Sequence, residues 1–266
     1  MKTTTPTPAD RLTSDDIANY RRDGFLRVRG IISPEEATHY RHAALDFAAK
    51  GQSFNDSPIF KQIVNVWRED ETMKALTFHP NVAAVAQKLA GVPLRLWHDQ
   101  ILIKPPLKSK PTEFHQDQPY WPHATSDHPI SCWIALCDVP AERGCMSFIP
   151  GSHRQLELQV QRLDDPRSLF SLCPELEYDL RVTAPLRAGD CTFHHGRCAH
   201  MATPNLTEEA RVAHVALFMD ATTTYVPRPH PVTDLLGFEE GTVIEGKVFP
   251  MIEEFARLRR SQLNSQ

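Results

Sequence analysis

The sequence has no C-x-x-C pair, no internal repeat, no low-complexity tract and no apolar run approaching the length of a membrane span. Six scattered cysteines argue against a disulfide framework and read as reduced thiols of an intracellular protein. The opening "MKTTTPTPAD" has no apolar core of a secretory leader, so no export is expected. The last residues, "NSQ", are not a peroxisomal address, and the expectation is a soluble, cytoplasmic protein. Charge excess is also missing: a net −4 with pI near 6.3 gives no reason to expect nucleic acid or an anionic membrane as partner.

What is present is proline and histidine, 22 and 13 residues in a chain of 266. The prolines fall between apolar runs, as in "KPPLKSKP", "IPGSH" and "YVPRPHPV", a pattern that suits short strands joined by rigid turns. The first third, about 1–92, reads as a helical buttress. "LTSDDIANYRRDGF" carries Thr13 and Ser14 before acidic residues. "SPEEATHYRHAALDFAAKG" has a Ser33/Glu36 capping box, Pro34 at the first helical position and Gly51 at the end, and "NVAAVAQKLAG" is a further helix.

From about 93 to 225 the period shortens to that of strands: "LRLWHDQILI", "ISCWIALCDV", "CMSFI", "RVTAPL", "CTFHH" and "RVAHVALFM". The polar segment 154–180 interrupts them and is expected to be a lid, and a final helix is expected over about 249–262. The whole is expected to be one α+β, mainly β domain over 1–266, a sandwich or barrel buttressed by helices.

Chemistry enters at "EFHQDQPYWP". In an extended strand His115 and Asp117 leave the backbone on one face, as two ligands of a metal site would. Alone this means little, because 13 histidines and 33 acidic residues in 266 positions give about 1.6 chance H-x-[DE] matches, and the chain has one. A two-histidine, one-carboxylate iron site needs a second imidazole, and "GDCTFHHGRCAHMATPN" offers His194, His195 and His200. Arg211 opens the apolar run "RVAHVALFM", where a cation is costly unless paired. It either anchors a ligand carboxylate or bridges to Asp190 or Glu208. Trp133, Ala135 and Cys137 share a strand face and suit a cavity wall. "PGSH" at 150–153 and the cationic "KPPLKSK" read as a structural turn and a solvated loop.

The pieces "ILIKPPL", "FHQDQPYWP", "SCWIALCDVPAERGCMSFIPGSHR" and "AGDCTFHHGRCAHMATPNLTEEAR", covering about 94–219, together resemble the phytanoyl-CoA dioxygenase family of Fe(II)/2-oxoglutarate-dependent oxygenases. The resemblance implies a double-stranded β-helix (jelly-roll, cupin-like) core. It implies His115, Asp117 and His200 as iron ligands, Arg211 on the distal carboxylate of 2-oxoglutarate, and Gln100 and Trp133 beside that cosubstrate. Where the family often has a serine, two residues after the second ligand histidine, this chain has Ala202, and Thr203 is expected to supply the missing hydrogen bond. His195 is read as structural or as a supporting residue.

The implied reaction consumes O2 and 2-oxoglutarate, releases succinate and CO2, and hydroxylates an unactivated C–H bond of a small organic substrate. Chlorinating relatives lack the carboxylate ligand, so Asp117 points to hydroxylation. Tyr120, Trp121 and His123 are expected on the substrate side. The competing readings are a cupin-like divalent-metal hydrolase or binding module, and a 2-oxoglutarate-binding protein that oxidises nothing.

Overall fold

Helix starts in this chain are set by reciprocal side-chain caps. In the computed structural model, which describes residues 6–51, 55–107, 109–123, 125–155 and 159–255, Thr13 Oγ1 accepts from Asp16 N, and the Asp16 carboxylate accepts from Thr13 N. Ser33 and Glu36 repeat the arrangement. The helices are α1 (Pro8–Arg11), α2 (Ser14–Asp23), α3 (Pro34–Ala49), α4 (Glu71–Thr77), α5 (Pro80–Ala90) and α6 (Ser168–Leu172). α2 and α5 stop on Gly24 and Gly91, both left-handed, as glycines past a helix end commonly are.

Among the described residues eleven strands follow the chain as β1 (Phe25–Val28), β2 (Asn55–Asp56), β3 (Lys61–Val64), β4 (Leu94–Lys104), β5 (Thr112–His115), β6 (Ile130–Ala135), β7 (Met146–Phe148), β8 (Val182–Ala184), β9 (Cys191–His195), β10 (His200–Ala202) and β11 (Arg211–Asp220). They form a major sheet, β1-β9-β6-β11-β4-β3-β2, and a minor sheet, β5-β10-β7-β8, antiparallel throughout. Two facing antiparallel sheets make the double-stranded β-helix that the sequence led us to expect. The first third is less purely helical than expected, since it lends β1, β2 and β3 to the edges of the major sheet. These strands are too short to show a period.

The major sheet is buried on both faces, which explains why β6 and β11 are buried at every residue. Alternate residues serve two cores. Ile130, Cys132, Ile134, Val212, Ala216 and Phe218 pack towards the helices, among Phe47, Met73, Val85 and Leu89. Trp133, Ala135, Ala213, Val215 and Leu217 face the minor sheet, among Met146, Phe148 and Cys198. The same alternation along β4 sends Asp99 to the helical side, fully buried. Its Oδ2 accepts from Trp67 N at 3.0 Å and from Thr77 Oγ1 at 2.9 Å, and lies 3.4 Å from His214 Nε2 on β11. One carboxylate thus ties α4 and the turn before it to the two central strands.

Segment 154–180 is an insertion between β7 and β8. Its Leu169, Phe170, Cys173 and Leu176 pack on Phe114, Ile149 and Ala199 of the minor-sheet side, so it forms a small core of its own. Half of the helix expected over 249–262 lies outside the described residues; up to 255 the chain makes a single turn, Ile252–Glu254.

Removing Asp99 leaves the Trp67 amide buried without its acceptor and the Thr77 hydroxyl with Met73 O but no carboxylate. Asp99→Ala is expected to lower unfolding stability by about 3 kcal/mol, and Asp99→Asn, which keeps an acceptor oxygen, by about half as much. Urea denaturation followed by tryptophan fluorescence measures both.

Candidate metal centre and its cavity

The register of the minor sheet places His200 of β10 directly opposite His115 of β5. Their rings lie 4.3 Å apart, and each is oriented from behind. His115 Nδ1 donates to Glu113 O at 2.8 Å, and His200 Nδ1 donates to Cys198 O at 2.9 Å. Both rings thereby turn Nε2 inwards, as metal-binding imidazoles held through Nδ1 do. Asp117 Oδ1 lies 3.5 Å from His115 Nε2 and 3.8 Å from His200 Nε2, and ligand atoms of all three residues lie within 4.8 Å of one another. Burial, with His115 alongside, holds the His200 imidazole down at about 3, so it is neutral. Burial raises the Asp117 carboxyl, but the imidazoles of His200, His115 and His194 outweigh it and keep it well below the usual carboxylate range. Two imidazole nitrogens and one carboxylate suit a ferrous ion.

Asp117 reaches this position by a route other than the expected strand alternation. β5 ends at His115, and Asp117 has helical backbone angles at the head of the turn Gln118–Tyr120. Its amide and that of Gln118 both donate to Gly196 O, at 2.9 and 2.8 Å. Gly196 has to be small, since a Cβ there would lie 2.8 Å from the Trp121 ring. His194 is buried beside the three ligands, with Nε2 3.7 Å from Asp117 Oδ2 and its ring 4.7 Å from that of His200. At that distance it is an electrostatic support for the second carboxylate oxygen. His195 turns outward, where Nε2 donates to Asp127 O and Nδ1 accepts from Arg197 N, a structural role as expected.

The same cavity, of about 360 Å3, has Arg211 on its wall. The guanidinium is 2% exposed, stacks over Trp133 at 5.2 Å and donates from Nη1 to Leu102 O. Its Nε has no hydrogen-bond partner among the described residues. The bridge to Asp190 or Glu208 is not formed: the Asp190 carboxylate accepts from Gly30 N and Arg187 N, and Glu208 is exposed. Burial lowers Arg211 to about 10, so it stays charged at neutral pH. A buried, charged group without a counter-ion is unstable unless an anion joins it. Gln100 lines the cavity and its Oε1 accepts from Gln62 Nε2.

Lys104, read from sequence as part of a solvated loop, is instead buried next to Arg211 as its cross-strand partner, with Nζ on Ile59 O and Lys110 O. Gly144 makes this crowding possible, since a Cβ there would lie 2.9 Å from both Arg211 Nε and Lys104 Cδ. Two other expectations need correction. The Thr203 hydroxyl is committed to Ala141 O and Cys145 N and is not on the cavity wall, whereas Ala202 is, with Thr112 opposite it. Ala135 and Cys137 share the face of Trp133 but lie in the core beneath it.

Tyr120 and Trp121 line the cavity, and the Tyr120 hydroxyl donates to Gln161 O. His123 does not; it packs behind Trp121 against Trp97. The presumed lid contributes one wall residue among those described, Leu163. The opposite wall comes from the segment after β11, through Pro229, His230 and Pro231, with His98 of β4 beside them. Sequence reasoning gave His98 and His230 no such place and weighed His194 only as an alternative ligand. For His98 the signal was available, because it sits two residues before Gln100 and so on the same strand face.

If His194 supports the carboxylate ligand, His194→Phe, which preserves the ring packing, weakens divalent-metal binding by about tenfold without unfolding the protein. Titration with Mn(II) by calorimetry, with a thermal melt alongside, reads both.

Comparison with known proteins agrees with this geometry. The family model "Phytanoyl-CoA dioxygenase (PhyH)" matches residues 20–213. Phytanoyl-CoA dioxygenase domain-containing protein 1 of Danio rerio is 23% identical over 270 residues, covering 81% of this chain and 92% of the relative. Among solved structures, the non-heme alpha ketoglutarate dependent carbocyclase SnoK from nogalamycin biosynthesis shares 33% identity at a TM-score of 0.84, over 93% of this chain and 99% of that one. The epimerase SnoN, in complex with Fe3+, alpha ketoglutarate and nogalamycin RO, shares 37% at 0.80, over 90% and 97%. On the family match across most of its length, this chain is a member of the phytanoyl-CoA dioxygenase family, whose members are Fe/2-oxoglutarate-dependent oxygenases.

Proposed function

We propose that this chain binds Fe(II) through His115, Asp117 and His200 and 2-oxoglutarate through Arg211, and that it hydroxylates an unactivated C–H bond of a small organic substrate. One observation carries the reading: a buried guanidinium without a carboxylate partner shares a cavity with two imidazoles and a carboxylate already turned towards a common point. A divalent-metal hydrolase would need the second group and not the first. When bound, the metal and cosubstrate supply O2 activation coupled to decarboxylation to succinate, and removal of hydrogen from a C–H bond.

The protein's own residues orient and exclude. Arg211 fixes the far carboxylate of the diacid, with Trp133 covering its face, while Met146, Leu102 and Ala202 keep that end apolar. Gln100, with Gln62 behind it, offers amide contacts along the cosubstrate's flank. The Tyr120 hydroxyl, donated to Gln161 O, holds the mouth residues against the inserted segment.

A second reading, favoured by the similarity to a carbocyclase and an epimerase, keeps the removal of hydrogen and changes what the carbon does afterwards. The two separate by product mass: hydroxylation adds one oxygen atom taken from 18O2, epimerisation leaves the mass unchanged, and ring closure removes two hydrogens.

Under anaerobic conditions with Fe(II), calorimetry should detect stoichiometric 2-oxoglutarate binding that chelation of the metal abolishes. Arg211→Lys should weaken it by at least about tenfold, since one ammonium cannot reproduce two parallel N–H bonds. Undiminished binding in the variant, or none in the wild type, sinks the assignment.

A further inference from the structure

Beyond the metal ligands and His194 beside them, two further imidazoles stand on the cavity wall with ring centres 5.8 Å apart, His98 from β4 and His230 from the segment after β11. The backbone fixes their tautomers in opposite senses. His98 Nδ1 faces Asp99 O at 3.1 Å, so it carries the proton and its Nε2 is an acceptor. His230 Nδ1 accepts from Val232 N at 3.3 Å, so its Nε2 carries the proton and is a donor. Neither Nε2 has a protein partner among the described residues.

Both rings are held in place. Trp97, fully buried, packs against His98 at 5.7 Å and His230 at 5.0 Å, and the His230 backbone is locked by its amide on Asp234 Oδ1 and by its carbonyl, which accepts from Thr233 N and Asp234 N. Burial keeps both imidazoles uncharged at neutral pH, His98 at about 3 and His230 at about 4.

The rest of the wall narrows the ligand. Among the described lining residues Asp117 is the sole carboxylate and Arg211 the sole Lys or Arg, and the proposed function, on which this inference rests, commits both. No charge is left for a substrate phosphate, carboxylate or ammonium. What remains near the two imidazoles is flat or apolar: Trp121, Leu217, Pro229 and Pro231.

We propose that His98 and His230 are substrate-reading residues for a neutral, oxygenated ring compound, which donates a hydroxyl hydrogen to His98 Nε2 and accepts from His230 Nε2–H through a neighbouring oxygen. They position the ring against the metal and take no part in O2 activation.

The test uses the Fe(II)-loaded full chain and a library of polyphenols, hydroxyquinones and their neutral glycosides, with palmitoyl-coenzyme A and L-proline as charged comparators. Neutral ring compounds should raise succinate release above background, and the comparators should not. His98→Phe and His230→Phe should each raise KM for the responding compound about tenfold and increase succinate formed per product, leaving the 2-oxoglutarate dissociation constant unchanged. His98→Gln and His230→Gln, whose amides can accept or donate near the same place, should recover most of the loss.

A preference for the charged comparators, silence from every neutral compound, or Phe variants with unaltered KM overturns the proposal. So does a 15N spectrum of labelled histidine showing the reverse tautomer at either residue. Direct binding of the neutral compounds to the Mn(II)-loaded protein is read separately. If 2-oxoglutarate fails to bind but these compounds bind and weaken in the Phe variants, the proposed function falls and the reading pair stands.

Discussion

The constraint on which the site depends is a strand register. β10 and β5 pair so that His200 faces His115, and a slip by one residue would send one imidazole to the opposite face of the minor sheet. The register is fixed away from the metal. On one side β10 pairs with β7 in step, Met201 opposite Ser147 and Ala202 opposite Met146. On the other, Gly196 O takes the amides of Asp117 and Gln118, which locks the chain leaving β5 to the chain entering β10. The three side chains therefore meet where the backbone around them is already satisfied.

Charge is arranged with the same economy. A jelly-roll interior is a poor place for ions, and this one holds a carboxylate beside three imidazoles and a guanidinium beside a lysine. At Asp117 the neighbouring imidazoles favour the charged form. At Arg211 the described residues offer only Trp133, one backbone carbonyl and the nearby thiols of Cys137 and Cys145, while Lys104 opposes it. Burial and the Arg211 charge bring Lys104 itself down to about 7. The cavity end proposed to receive the diacid is thus electrostatically unfinished, a shortfall that suits a dianion with one carboxylate to spare after chelation.

How much of this the sequence disclosed follows from how local each signal is. Caps at Thr13 and Ser33 and the strand period of β6 and β11 are written within a few residues, and they appear in the structure as read. His115, Asp117, His200 and Arg211 came from resemblance to a family, because convergence of distant strands leaves no local trace. Asp117 arrived at the right place through a turn held by a carbonyl 79 positions away, which no alternation rule describes. Thr203 was misjudged because adjacency to Ala202 suggested a substitute hydroxyl, whereas its side chain closes the loop 141–145. Lys104 was misjudged because a run of lysines and prolines resembles a solvated loop. Its burial follows from being the last residue of β4, directly opposite Arg211.

The wall residues least legible in the sequence lie after the last strand. Strands β4, β5, β6, β10 and β11 supply the metal and diacid end, and their registers tolerate little change. Pro229, His230 and Pro231 sit outside the sheets, pinned by a turn at Asp234 and by contact with Trp97. A segment held by a few local bonds can be re-sequenced without disturbing any strand register, whereas a change at Gly196 or Gly144 would collide with Trp121 or Arg211. Within a family sharing one oxidative apparatus, such a segment is where differences in substrate can accumulate, and in this chain it places a histidine facing another on β4 across a space without charge.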